Sequence, residues 1–155
     1  MLRIPVTRLL AGLCLSGLTG AAAADATLAE GERVFASVCQ ACHQAGGVGA
    51  PGLAPPLAGT LTGALASEPG RKYLALVLIH GLSGPIRSQG QLYTGAMPVQ
   101  ADLGDAQLAA VATYVAQTLN GLADVSFTVD DLALARTEQV THKALRQLRE
   151  KLVPP

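Results

Sequence analysis

An all-α fold is predicted by three features of this 155-residue chain. Apolar residues recur at three- and four-residue intervals in several separate segments, behind residues that cap helix N-termini. Gly- and Pro-rich stretches divide those segments from one another. The third feature is Cys39-Gln40-Ala41-Cys42-His43, around which the rest is organised. Two thiols three apart, followed directly by a histidine, are the covalent attachment pattern for a c-type haem. On about one helical turn the two cysteines share a face, so each reaches one vinyl-derived carbon of the macrocycle. His43 then aims its imidazole at the iron from the proximal side.

Composition agrees. Half of the chain is apolar, yet it has five aromatic residues (Phe35, Tyr73, Tyr93, Tyr114, Phe127) and no Trp. So few large rings make a thin core, and a buried haem supplies the missing apolar bulk.

The N-terminus reads as a Sec-type signal peptide over residues 1–24. Arg3 and Arg8 lie in a stretch without acids, residues 9–18 are an apolar run, and residues 21–24 are alanines before Asp25. The apolar run is shorter than the ~20 residues a bilayer-spanning helix needs. Cleavage after Ala24 removes two of eleven basic residues and none of eleven acidic ones, which leaves a net charge of −2. No long basic run survives, so nucleic acid and anionic lipid are excluded as expected partners. Cys14 departs with the signal, and Leu13 before it does not suit a lipoprotein site. An exported, periplasmic protein is expected, with any membrane association arising only through a partner complex.

Thr27-Leu28-Ala29-Glu30 reads as a capping box that opens the first mature helix. That helix carries Gly31 and Phe35 on one face and runs to the cysteines. Residues 46–59 hold too many Gly and Pro for a regular element and form a loop after His43. Residues 61–66 are too small and apolar to assign. Ser67 caps a second helix, with Tyr73, Leu74, Val77 and Leu78 as its apolar stripe and Gly81 as its stop. Residues 83–93 read as an irregular loop or a short hairpin. Asp105 opens a long helix bearing Leu108, Val111, Ala112, Val115 and Leu119, which ends at Asn120-Gly121. Thr128-Val129-Asp130-Asp131 starts an amphipathic C-terminal helix whose stripe runs from Leu132 to Leu152. The expected organisation is a signal at 1–24, a haem domain at 25–121 and a helical extension at 122–155.

A haem iron held by His43 alone leaves an axial position open. Met97 is the only methionine after the signal, and Gly95 and Pro98 bracket it in a turn that presents its thioether. His80 and His142 are rival ligands, although a His at a helix end more often serves the last carbonyls. A zinc site needs a third Cys or His at ligand spacing, and the mature chain has no third Cys. A thioredoxin-like site lacks its βαβ surroundings.

Cys39-Gln40-Ala41-Cys42-His43 together with Gly95-Ala96-Met97-Pro98 resembles the class I cytochromes c, in particular bacterial monohaem forms. The resemblance covers about residues 28–120. It implies the cytochrome c fold, helices wrapped around one haem c bound through two thioethers, with the C-terminal helix as an addition. It also implies metal ligation by His43 and Met97. Gly31 and Phe35 match the family's N-terminal helix contact, and Tyr114 matches its aromatic partner. Pro55 falls where the family keeps a proline whose carbonyl receives the proximal imidazole's hydrogen bond. Thr94 stands where the family often has Asn. Arg71, Lys72, Arg87 and Tyr93 are candidates to meet a haem propionate.

The function implied is single-electron transfer between a redox-partner protein (a dehydrogenase, reductase or oxidase) and an acceptor, not catalysis. With His and Met on the iron, the thioether favours the ferrous state and raises the potential. The alternative is a haem sensor or enzyme in which Met97 dissociates. Whether the chain is a shuttle or a fixed subunit turns on the tail, which either wraps its own domain or docks a partner. Lys72, Lys143 and Lys151 are the only lysines, so no dense lysine ring steers an acidic partner.

Overall fold

A computed structural model describes residues 19–100, 102–153 and 155. The expected apolar signal run at residues 9–18 lies outside them. Helix α1 (Thr19–Val34) begins well before Thr27, so the box expected there opens no helix in the full chain. The alanines at 21–24 are strong helix formers and carry the helix through. Glu30 turns instead to Arg33, one turn on, at 2.6 Å.

The helical path does not stop at Val34. A π-helical turn (Phe35–Cys39) and α2 (Gln40–His43) continue it to His43. Against it lies α5 (Asp105–Tyr114), prolonged by a second π turn (Val115–Leu119) as far as the predicted end at Asn120. Gly31 is why the two backbones can meet. A Cβ there would stand 2.3 Å from the Ala110 carbonyl oxygen and 2.7 Å from the Tyr114 Cβ. One turn further on, Phe35 meets Tyr114 with ring centroids 5.5 Å apart, the aromatic contact expected from the sequence.

Between these helices the chain forms α3 (Thr62–Leu65) and α4 (Glu68–His80). Ser67 caps α4 by accepting from the Gly70 amide at 3.2 Å, and Tyr73, Leu74, Val77 and Leu78 are buried as predicted. The segment at 83–93 takes the hairpin form: β2 (Ile86–Ser88) pairs with β3 (Gln91–Tyr93). A second short ladder joins β1 (Leu82–Ser83) to β4 (Ala96–Met97), with Leu82 opposite Met97. These strands border an otherwise all-α core.

The tail differs from the single helix expected. It is two helices, α6 (Val129–Thr137) and α7 (His142–Leu152), broken where Glu138 turns extended at ψ 137°. Thr141 then caps α7 by accepting from the Ala144 amide at 3.1 Å. Thr128 and Asp131 form the predicted reciprocal cap of α6. Leu132, Ala135, Leu145 and Val153 join one buried cluster with residues of α1, α4 and α5. The tail's stripe is therefore spent on its own chain.

Asn120, expected only as a helix stop, is buried and ties the loop after His43 to the end of α5. Its amide donates to the carbonyls of Leu57 (3.0 Å) and Val115 (2.8 Å), and its Oδ1 accepts from the Leu61 amide at 2.9 Å. Asn120→Ala leaves these groups without partners, so a loss of about 2–4 kcal/mol is expected. Urea unfolding of the purified holoprotein checks it, and parental stability would contradict the assignment.

Candidate functional site

The site begins at the π turn. Inserting one residue into the helical repeat rotates the following side chains relative to Gly31 and Phe35. Phe35 thus stays on α5 while Cys39, Cys42 and His43 line a cavity. Gln44, at φ 61°, then ends the helix and sends the chain back along the site.

The loop returns by way of Gly49, whose amide donates to the His43 carbonyl at 2.8 Å. Gly49 has φ 74°, and a Cβ on it would lie 2.5 Å from the Pro56 nitrogen. Only glycine combines that conformation with so close an approach. The approach brings the Pro55 carbonyl oxygen 2.9 Å from His43 Nδ1. Because a carbonyl can only accept, the proton is on Nδ1 and the lone pair of Nε2 is left for a metal. Burial holds the His43 pKa below the usual imidazole value, with the Pro55 carbonyl in partial opposition. A neutral imidazole is the form that ligates.

The cavity has a volume of about 290 Å³. Leu57, Leu61, Leu74, Val77, Leu78, Val111 and Val115 supply apolar walls, and Met97 and Tyr93 stand in the same lining. Of the candidates from the sequence, Cys39, Cys42, His43, Pro55, Tyr93 and Met97 lie here, and Arg71, Lys72 and Arg87 do not. Arg71 is engaged with the carbonyls of Leu65 and Ala66, Lys72 pairs with Glu138 at 2.9 Å, and Arg87 lies exposed outside the lining. Thr94 is also exposed and outside it. The rival ligands are turned away: His80 Nε2 donates to the Ala135 carbonyl at 3.1 Å, and His142 Nε2 to the His80 carbonyl at 3.1 Å.

Arg149 was missed by the sequence reading. It is 6% exposed, lines the cavity, and its Nε has no hydrogen-bond partner. Burial pushes the Tyr73 hydroxyl pKa up, and the charge of the neighbouring Arg149 partly offsets this. The signal was present in the register: Arg149 stands four residues after Leu145, on the apolar face of α7.

These residues fit a haem. The walls suit a flat apolar ring system, the cysteines stand at its margin, and the buried guanidinium matches a carboxylate. They do not fit the rivals. Burial pushes the Cys39 thiol up to about 11, with Cys42 adding to it, opposite in direction to a nucleophilic or metal-binding thiol. Among the described residues, no group of three Cys, His, Asp or Glu is placed to hold a metal ion.

Fold and site together define a covalent haem protein of the cytochrome c class. The profile of the family described as "Cytochrome C oxidase, cbb3-type, subunit III" matches residues 26–115. A Cytochrome c-552 of Thermus thermophilus is 38% identical over 148 residues, 93% of this chain and 95% of that one. Another Cytochrome c-552 from that species is 38% identical over 128 residues, 80% of this chain and 97% of its own. The chain belongs to the class I c-type cytochromes, a family that carries covalently bound haem c. It is a monohaem electron-transfer cytochrome.

Without the haem, the apolar walls of the ~290 Å³ cavity lose the ring that packs between them. Cys39→Ala with Cys42→Ala is therefore expected to lose haem staining on a denaturing gel and most of the native fold. Circular dichroism of the purified double variant checks the second part. A well-folded haem-free protein would contradict it.

Proposed function

We propose that this cytochrome is exported to the periplasm and carries single electrons to or from a redox enzyme through a haem held by His43 and Met97. Residues 1–24 have the composition of a cleaved signal, and none of the described helices is long and apolar enough to cross a membrane. The observation that carries the ligand assignment is the cavity's donor set. His43 enters with Nε2 free, and Met97 is the only other histidine or methionine among the described lining residues.

When bound, the haem supplies a reversible one-electron couple between ferrous and ferric iron. The chain's residues set its terms. Cys39 and Cys42 would hold the ring edge, Pro55 orients His43, and Met97 would supply a weak thioether donor, which favours the ferrous state. Tyr93 and Arg149 are the groups that would meet the propionates, in place of Arg71 and Lys72. A closed iron leaves outer-sphere transfer as the chemistry. The exposed Val38 and Leu53 at the cavity margin offer an uncharged docking rim where the ring edge reaches solvent.

The description of the family profile, which names a cytochrome c oxidase subunit, supports a respiratory oxidase as partner. Self-packing of the tail favours a mobile carrier over a subunit anchored by that tail. With a mature net charge of −2 and no lysine ring, the rate with such a partner is expected to change less than about threefold between low and physiological salt. Stopped-flow oxidation by a purified terminal oxidase measures this.

Carbon monoxide separates the carrier from a sensor or haem enzyme. The ferrous parent is expected to show no spectral change under the gas, whereas Met97→Ala binds it readily. Immediate binding by the parent would favour the sensor.

A further inference from the structure

We infer that α6 and α7 form a brace for the segment carrying Met97, so that loosening their contacts to β1 loosens the sixth ligand. This rests on the assignment of Met97 as that ligand. Met97 lies on β4, a strand of two residues whose ladder partner is the equally short β1. A ladder of that length does not hold itself in water. Its outer side is gripped by α7. The Ser83 hydroxyl bonds His142 Nδ1, and the Ser83 carbonyl accepts from Arg146 Nη1 at 2.5 Å.

His142 is fixed in turn by donating through Nε2 to the His80 carbonyl at the end of α4. With the proton on Nε2, Nδ1 is the acceptor for the serine hydroxyl. One imidazole therefore spans the end of α4 and the start of β1. Between those two points Gly81 packs on the Met97 carbonyl, where a Cβ would stand at 2.6 Å. The far end of the Met97 segment is held by α6. Arg136 donates to the Leu103 carbonyl at 3.0 Å and to Asp105 Oδ1 at 2.5 Å. The tail thus bonds β1, the ladder partner of β4, through α7 and the start of α5 through α6.

The brace predicts a change in ligand accessibility, which general stabilisation does not. Exogenous cyanide binds the ferric iron only when Met97 is away, so its apparent affinity reports the open fraction. His142→Ala with Arg146→Gln removes three bonds, two of them to Ser83, and its cyanide affinity is expected to rise about tenfold. Ser83→Ala, which keeps the tail's residues intact, is expected to give a smaller rise in the same direction. Glu138→Gln breaks the tail's ion pair to Lys72 on α4, away from β1, and is expected to leave cyanide affinity within twofold.

All variants are compared as purified holoproteins of parental helix content, with melting temperatures recorded. A rise for Glu138→Gln matching that of the β1 variants would overturn the brace, as would unchanged affinity in both β1 variants. Met97→Ala run alongside separates the two levels of inference. If it binds cyanide no better than the parent, Met97 is not the ligand and both readings fall. If it binds far more tightly while the β1 variants match the parent, only the brace falls.

Discussion

The crossing of α1 and α5 at Gly31 sets the position of everything that touches the haem cavity. With the Ala110 carbonyl 2.3 Å from where a side chain would begin, the two backbones are in register to within a fraction of a turn. Phe35 and Tyr114 lock that register one turn later. Because the helical path runs unbroken from Gly31 to His43, the crossing also determines where the imidazole emerges. The π turn at 35–39 is the adjustment that turns the cysteines from the packing face to the cavity. From His43 onward the loop has one geometry open to it, since Gly49 must lie against Pro56 for the Pro55 carbonyl to reach Nδ1.

The opposite end of α5 closes the same circuit. Asn120 binds the returning loop at Leu57 and Leu61, so the segment that orients His43 is anchored to the helix that positions α1. A buried amide with its donors and acceptor satisfied specifies one arrangement where apolar contacts alone tolerate several. Proximal orientation is thus a property of the whole ring of contacts: α1, loop, Asn120, α5 and back to Gly31.

Much of this was legible in the sequence because it rests on residues with few alternative uses. A CxxCH motif, a Ser cap before Pro69 and a Gly four residues before Phe35 each admit one strong reading. The tail's self-packing, its break and Arg149 were not legible, for a common reason. Apolar periodicity reports that a face is covered, not by what, and it runs on across a short interruption such as residues 138–141. A charged residue on that face reads as solvated surface until the fold shows a cavity behind it. The early start of α1 escaped for a different reason. Thr27 to Glu30 has the residue types of a cap, but a cap forms only where the preceding residues are not helical, and alanines at 21–24 favour helix. That box remains available to the chain once the alanines are removed.

The tail's position resolves a tension in the fold. His43 sits at the end of a long helix and is held by an adjacent loop, whereas Met97 sits on a two-residue strand between a hairpin and a bend. The two proposed ligands therefore start with unequal support. A short strand gains rigidity only from what packs behind it, and behind β1 lie His142 and Arg146. Arg149, on the same helix three residues after Arg146, faces the cavity itself. One helix thus contributes on two levels, a hydrogen-bonded brace outside the Met97 strand and a buried cation at the edge of the haem site. A helix that merely covered apolar surface would need neither, because Leu145 and Leu148 already serve that purpose. With Met97 as the proposed ligand, the polar residues that α7 turns inward would couple the tail to the iron.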